Sequence, residues 1–251
     1  TKEQDIIFSS IINELNKKID VTLSDIDYTP NIGIKYLWKN RKKIIPFEYF
    51  YTKKVAKTNL KNRNELKLIW KRIEKNKEFQ ESFNYQGIPL WPLLKDKYKF
   101  LITNRFPEAI KYIEIAKNLI KQENPSAVLP VDETGMYSRA ILVAAKENKI
   151  PTLGMQHGII SKESFEYIHL PKEISKDSSH KSPFCPIPDK TFVYGDYTKK
   201  LLIKEGNYPQ KTIEVTGQPR YDFISKVDNI FKKEEVYKKF NLDPQKKLVI
   251  F

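Results

Sequence analysis

The spacing of apolar residues changes part-way along this chain. In residues 5–18 (DIIFSSIINELNKK), Ile7, Ile11 and Leu15 recur at helical intervals, and residues 21–23 (VTL) then read as a strand. Opening on a helix is unusual for an α/β chain and leaves room for a first strand ahead of Thr1. Residues 31–100 show no sustained period, apart from helical spacing over 64–79 (NELKLIWKRIEKNKEF). Residues 106–122 form a better amphipathic helix, which Pro107 is expected to open.

From residue 127 the pattern becomes regular. Residues 127–131 (AVLPV) are a short apolar strand, and 134–148 the following helix, with Thr134 a candidate N-cap. A second strand spans 152–155. A long loop rich in Ser, Lys and Pro leads to a third at 190–194 (KTFVY), followed by a helix over 196–205 that Gly206 ends. A fourth strand at 213–216 (IEVT) runs into a helix from Pro219 to Val227. Such alternation predicts an α/β fold with a Rossmann-like parallel sheet flanked by helices. After a last helix closing at 236–240, residues 241–245 (NLDPQ) resemble a linker, and 246–251 (KKLVIF) begin an apolar strand. The expected organisation is one domain over 1–240, with 241–251 as linker and first strand of a second domain. Alternatively, that strand completes the first sheet.

The suggestive residues of the regular half all fall just past a predicted strand. Asp132, Glu133, Thr134 and Gly135 follow the first, and Gln156, His157 and Gly158 the second. Gly195 and Asp196 follow the third, and Gly217, Gln218, Pro219 and Arg220 the fourth. In a parallel sheet these turns gather at the carboxyl ends of the strands, where such folds bind ligands. His157 suits a general base or a phosphate contact, since its side chain titrates near neutrality; the alternative is a histidine satisfied within a turn. Asp132 and Glu133 either orient acceptor hydroxyls, act as the base, or cap the helix. Arg139 is expected to pair with one of them or to reach a phosphate, and Arg220 with Asp222 to clamp a charged group or pair across a helix start. His169 and His180 fall in the long loop and are expected at its surface.

Several chemistries lack their signatures. There is no GxxxxGK[ST] loop, no GxGxxG fingerprint and no GxSxG elbow. One Cys and no HxxxH or HExxH spacing give no support to a metal site, and no cofactor is called for. The single Cys185 cannot form an internal disulfide, which suits a reducing cytoplasm. No run of eighteen apolar residues could span a bilayer, and the start TKEQD has neither a signal-peptide pattern nor an initiator Met, as a trimmed start would also show.

Charge adds one asymmetry. The 251 residues carry a formal net charge of +14, of which 1–125 contribute +10 (25 Lys and Arg against 15 Asp and Glu). A basic first half suggests an anionic partner, whether a phosphorylated acceptor, an acidic membrane surface or nucleic acid. A Lys-rich composition alone would give the same sum, because only six of the 45 cations are Arg. Residues 36–57 interleave aromatics with cations, as a membrane-facing surface would; core aromatics flanked by solvated lysines would read the same way.

Three segments together resemble a known group: 151–158 (PTLGMQHG), 188–195 (PDKTFVYG) and 215–222 (VTGQPRYD). In order and approximate spacing they are similar to the capsule-polysaccharide and CDP-glycerol glycerophosphotransferase (teichoic acid polymerase-like) families, over about a third of the chain. The resemblance implies the N-terminal, acceptor-side half of a GT-B fold, whose partner domain binds a nucleotide-activated donor. It implies inverting, metal-independent transfer of a sugar or glycerol-phosphate unit to a glycan or lipid-linked acceptor in surface polysaccharide synthesis. His157 would be the base, with Asp132 and Glu133 lining the acceptor side. Gln156, Gly158, Arg139, Gly195, Gly217, Gln218 and Arg220 would contact substrate. Alone, such a half is expected to be inactive, and the protein to be cytoplasmic or peripheral at the inner face of the membrane. Two rivals stand beside it: a UDP-N-acetylglucosamine 2-epimerase-like enzyme on the same scaffold, and a non-catalytic basic nucleic-acid-binding module. The transferase reading itself involves no nucleic acid.

Overall fold

The structure, a computed structural model, describes residues 9–21, 23–25, 44–130, 132–174, 185–227, 232–243 and 245–246, apart from some of their side chains. Its C-terminal half is built on a parallel sheet. Strands β5 (Leu153–Met155), β6 (Lys190–Val193) and β7 (Ile213–Val215) lie in that order, with Leu153 opposite Lys190 and Thr191 opposite Ile213. The strand expected at 127–131 is reduced to a parallel bridge between Val128 and Thr152, within hydrogen bonds from Val128 N to Pro151 O (3.0 Å) and from Leu153 N to Val128 O (2.9 Å). Two prolines explain the reduction: neither Pro130 nor Pro151 can donate to a ladder.

Helix α6 (Met136–Glu147) connects that bridge to β5, α7 (Pro171–Ile174) lies in the long loop, and α8 (Asp196–Lys204) joins β6 to β7. The helix expected at 219–227 is a 3-10 segment, Pro219–Lys226, and α9 (Lys233–Lys239) follows it. Val193, Leu201, Leu202, Tyr208 and Ile213 bury together beneath the sheet, joined by Ile160 and Tyr167 from the long loop.

The N-terminal half is helical. After α1 (Ser9–Leu15), β1 (Leu23–Asp25) pairs in parallel with β2 (Ile44–Pro46) as a separate ribbon, followed by a 3-10 turn, Phe47–Phe50. Helix α2 (Lys53–Ile73) begins eleven residues before the predicted start, because the Thr52 side chain accepts from Val55 N (3.3 Å) and caps it there. A short α3 (Lys77–Glu81) and a hairpin, β3 (Asn84–Tyr85) with β4 (Ile88–Pro89), lead into α4 (Trp91–Phe100). Trp70, Trp91 and Ile102 are buried here among Phe79, Phe83 and Tyr98, with Phe83 and Phe79 rings each 5.4 Å from that of Trp91.

Pro107 stands in the first turn of its helix as expected, but that helix does not start afresh. Instead α4 runs through a π-helical turn, Leu101–Arg105, into α5 (Phe106–Glu123). A proline inside an α-helix lacks one donor, and its ring meets the carbonyl four residues back. The wider turn, closed by Phe106 N–H on Leu101 O, accommodates both problems and lets the helix continue. Helix α5 then packs on α6, whose Ala140, Ala144 and Ala145 allow close approach, with Phe47 and Phe50 inserted alongside. Those two phenylalanines, fully buried, settle part of the 36–57 stretch as core; residues 36–43 lie outside the described residues. So do His180, all but the first residue of the strand expected at 246–251, and residues 5–8 of the first helix.

Candidate active site at the sheet edge

Parallel strands put the turns after them on one edge, and the four turns picked from the sequence meet that condition here. Asp132 Oδ1 accepts from Thr134 N (3.0 Å), Thr134 Oγ1 (2.6 Å) and Gly135 N (3.2 Å). The helix N-cap is therefore Gly135, with no side-chain cap, and not Thr134 as the sequence predicted; Asp132 closes the turn just before the helix. Burial pushes the Asp132 carboxyl up, but the Thr134 hydrogen bonds, the neighbouring His157 and the Gly135 N–H together hold it below its ordinary value. Asp132 and His157 thus belong to two adjacent strand ends. His157 Nδ1 is shielded from solvent and has no hydrogen-bond partner.

Gln156 ties this edge together. Buried at 2% exposure, it donates from Nε2 to Gly158 O (2.8 Å) and accepts at Oε1 from Tyr194 N (2.9 Å), so its amide is committed to the protein. That cross-link fixes the turn holding His157 against the one holding Gly195. A Cβ placed on Gly158, Gly195 or Gly217 would meet nothing within 4 Å, so this edge opens onto free space at three of its turns. Gly217 takes φ +82°, where a side chain would be strained. Gln218 is buried beside it; Arg220 lies in the 3-10 segment, and its side chain is outside the described set.

Glu133 faces the other way. It is 3% exposed, beneath the edge, and neither carboxyl oxygen makes a hydrogen bond of good geometry. Burial pushes the carboxyl up to about 7; Asp132 adds to the shift, while its own backbone N–H, the Tyr167 hydroxyl and Arg139 pull weakly the other way. Gly154 is required next to it, because a Cβ there would fall 2.6 Å from Pro188 Cγ and 3.3 Å from the Glu133 carboxyl. Glu133 therefore does not line the open edge as the sequence suggested.

Arg139 differs too. It forms no ion pair with Asp132 or Glu133; Nε donates to Thr134 O (2.9 Å), Nη1 to Cys185 Sγ (2.6 Å) and Nη2 to Glu166 O (3.1 Å). Its fork anchors the long loop to α6 instead of facing a phosphate. His169 is no surface residue either: it is 6% exposed with its ring centroid 5.7 Å from that of Tyr208. Burial and then Arg139 lower its pKa, against a smaller opposing effect of Glu173. Burial likewise raises the Tyr167 and Tyr208 hydroxyls. Neither tyrosine carried a sequence signal, because each comes near Glu133 only once the chain has folded.

Asp189, part of the PDKTFVYG segment, has a structural task. Its Oδ2 accepts from Thr152 N (3.0 Å) and Oγ1 (2.8 Å), and its Oδ1 from Lys146 Nζ (2.7 Å). Burial opposes ionisation, yet Lys146 and Thr152 together hold the carboxyl below its ordinary value. This clamp locks β6 beside β5. Among the described residues no cluster of His, Cys, Asp and Glu is suited to a metal ion, and no helix is long and apolar enough to cross a membrane.

No family model matches the chain, and no curated protein does. Among solved structures it is similar to UDP-N-acetylglucosamine 2-epimerase from Rickettsia bellii, at 20% identity and a TM-score of 0.36. That likeness covers 54% of this chain and 33% of the epimerase, and so distant a match assigns no activity.

Proposed function

We propose that the chain supplies the acceptor side of an enzyme that transfers a sugar or glycerol-phosphate unit from a nucleotide-activated donor to a glycan or lipid-linked acceptor. The observation that carries the reading is that Asp132 and His157 follow adjacent strand positions on an edge left open at Gly158, Gly195 and Gly217. His157 takes the proton from the acceptor hydroxyl, whose oxygen forms the new bond to the donor carbon or phosphorus while the nucleotide leaves with the old bonding pair. Asp132 stabilises the imidazolium that results, as a carboxylate beside a catalytic histidine does. Glu133, 3% exposed beneath the edge, is given no contact with the acceptor in this reading; it supports the turn from beneath.

The test is transfer from labelled UDP-sugars and CDP-glycerol by the full-length protein, with and without a glycan acceptor. His157→Ala lowers the transfer rate roughly 10²–10⁴-fold and leaves the donor KM nearly unchanged. Near-normal turnover in that variant removes His157 from the mechanism. A new product formed from UDP-sugar without acceptor replaces transfer with epimerisation.

A further inference from the structure

The cations are concentrated away from the sheet edge. Residues 53–105, all described, hold 14 Lys and Arg against 5 Asp and Glu, a net of +9 out of the chain's +14. This helical arm also exposes its large apolar side chains. Tyr85 (62% exposed) and Ile88 (59%) are register partners in the β3–β4 hairpin and so stand on one face of the ribbon. Leu93 (76%) and Phe100 (50%) follow on α4, at helical spacing with the exposed Lys97 between them. Lys95 and Lys99 flank that stripe, and Leu101 continues it. Beneath, Trp91, Phe79, Phe83 and Tyr98 pack ring against ring and hold the tip rigid.

We infer that this tip docks on a bilayer rich in acidic lipids. Exposed Leu, Ile, Phe and Tyr side chains suit the boundary between headgroups and acyl chains, and the surrounding lysines suit anionic headgroups. Charge complementarity alone would also admit nucleic acid. Two features favour lipid. Eleven of the arm's 14 cations are Lys rather than the fork-shaped Arg, and Ile88 and Leu93 offer a nucleic acid nothing to pair with. The exposed apolar side chains thus lie on the hairpin and α4, with the cations Lys95, Lys97 and Lys99 on α4 itself; within 44–57, Phe47 and Phe50 are core while Tyr49 and Tyr51 are exposed. This inference is independent of the transferase reading, because vesicle binding requires no turnover.

Co-sedimentation of the whole chain with vesicles of phosphatidylcholine alone, or mixed with phosphatidylglycerol, tests it. The chain pellets with the acidic vesicles, far less with the neutral ones, and less as salt is raised. Lys97→Glu weakens acidic-vesicle binding by about 20-fold and Leu93→Ser by about tenfold. Lys211→Glu, on the sheet half, leaves it unchanged. Both 93 and 97 are exposed, so these variants keep the fold. Four results overturn the inference: no binding to either vesicle, equal binding to both, an equal loss from Lys211→Glu, or a generic DNA duplex that displaces the vesicles and is indifferent to Leu93→Ser.

Discussion

The helical arm and the sheet edge are stabilised by different means. In the arm, residues 66–102, an aromatic cluster does the holding: six-membered and indole rings lie 4.9–6.2 Å apart, while the charges around them are mostly exposed and loosely paired. At the sheet edge, apolar burial is supplemented by short polar clamps that tie strand to strand: Asp132 on its turn, Gln156 across two turns, Asp189 on Thr152. Ring clusters tolerate small displacements because dispersion and burial are non-directional. Hydrogen-bonded clamps do not, and they position the residues at the open edge to a few tenths of an ångström. The proposed contact surface rests on the first kind of support, and the proposed chemistry on the second.

Trp91→Ala breaks that comparison most sharply. Removing the central ring costs about 3–5 kcal/mol, and the loss is local: hydrogen exchange quickens through Lys53–Ile73 and Trp91–Phe100 but not in β5 and β6. Equal loss of protection in the strands would mean that the two regions unfold as one unit. Glu133→Gln sharpens the other side. A carboxyl whose folded pKa is raised to about 7 contributes stability that is fully present below its ordinary value of 4.5 and lost as the pH rises through about 7. The glutamine variant lacks this loss. It gains up to about 3 kcal/mol on the wild type between pH 4 and pH 8, measured by urea unfolding at each pH. A difference independent of pH would place the carboxyl in water. The smallest effect is at the start of α2, where Thr52→Ala removes the cap and costs about 1 kcal/mol in thermal unfolding, without touching the sheet edge.

Much of the sheet half was legible in the sequence because its signals are local. Short apolar strands, a Gly after a helix and a polar turn after a strand fall within a few residues of one another, so β5, β6, α8 and β7 appear within two residues of their expected limits. The placement of Asp132 and His157 just past strand ends was legible for the same reason. The burial of Glu133, His169 and Tyr167 was not, since it depends on how residues 159–174 fold back over the sheet. The commitment of Arg139 to that loop has the same origin. In the arm, helix formation over 53–63 is decided by a cap and by packing at Val55 rather than by an apolar period. Pro107 marked the start of α5, but the continuity of α4 with it was missed because a π turn leaves no mark on hydrophobic spacing.

That π turn has a mechanical consequence. Trp91–Phe100, Leu101–Arg105 and Phe106–Glu123 form one uninterrupted rod of 33 residues, about 50 Å at the α-helical rise. One end carries the lysine-rich tip, and the other stops at Asn124, just before the first turn of the sheet edge. If the tip rests on a surface, the rod acts as a ruler that holds the edge at a fixed standoff above it. The surplus residue in the π turn also sets the phase: deleting one residue between Leu101 and Arg105 would swing the tip about 100° around the rod axis while leaving the sheet edge intact.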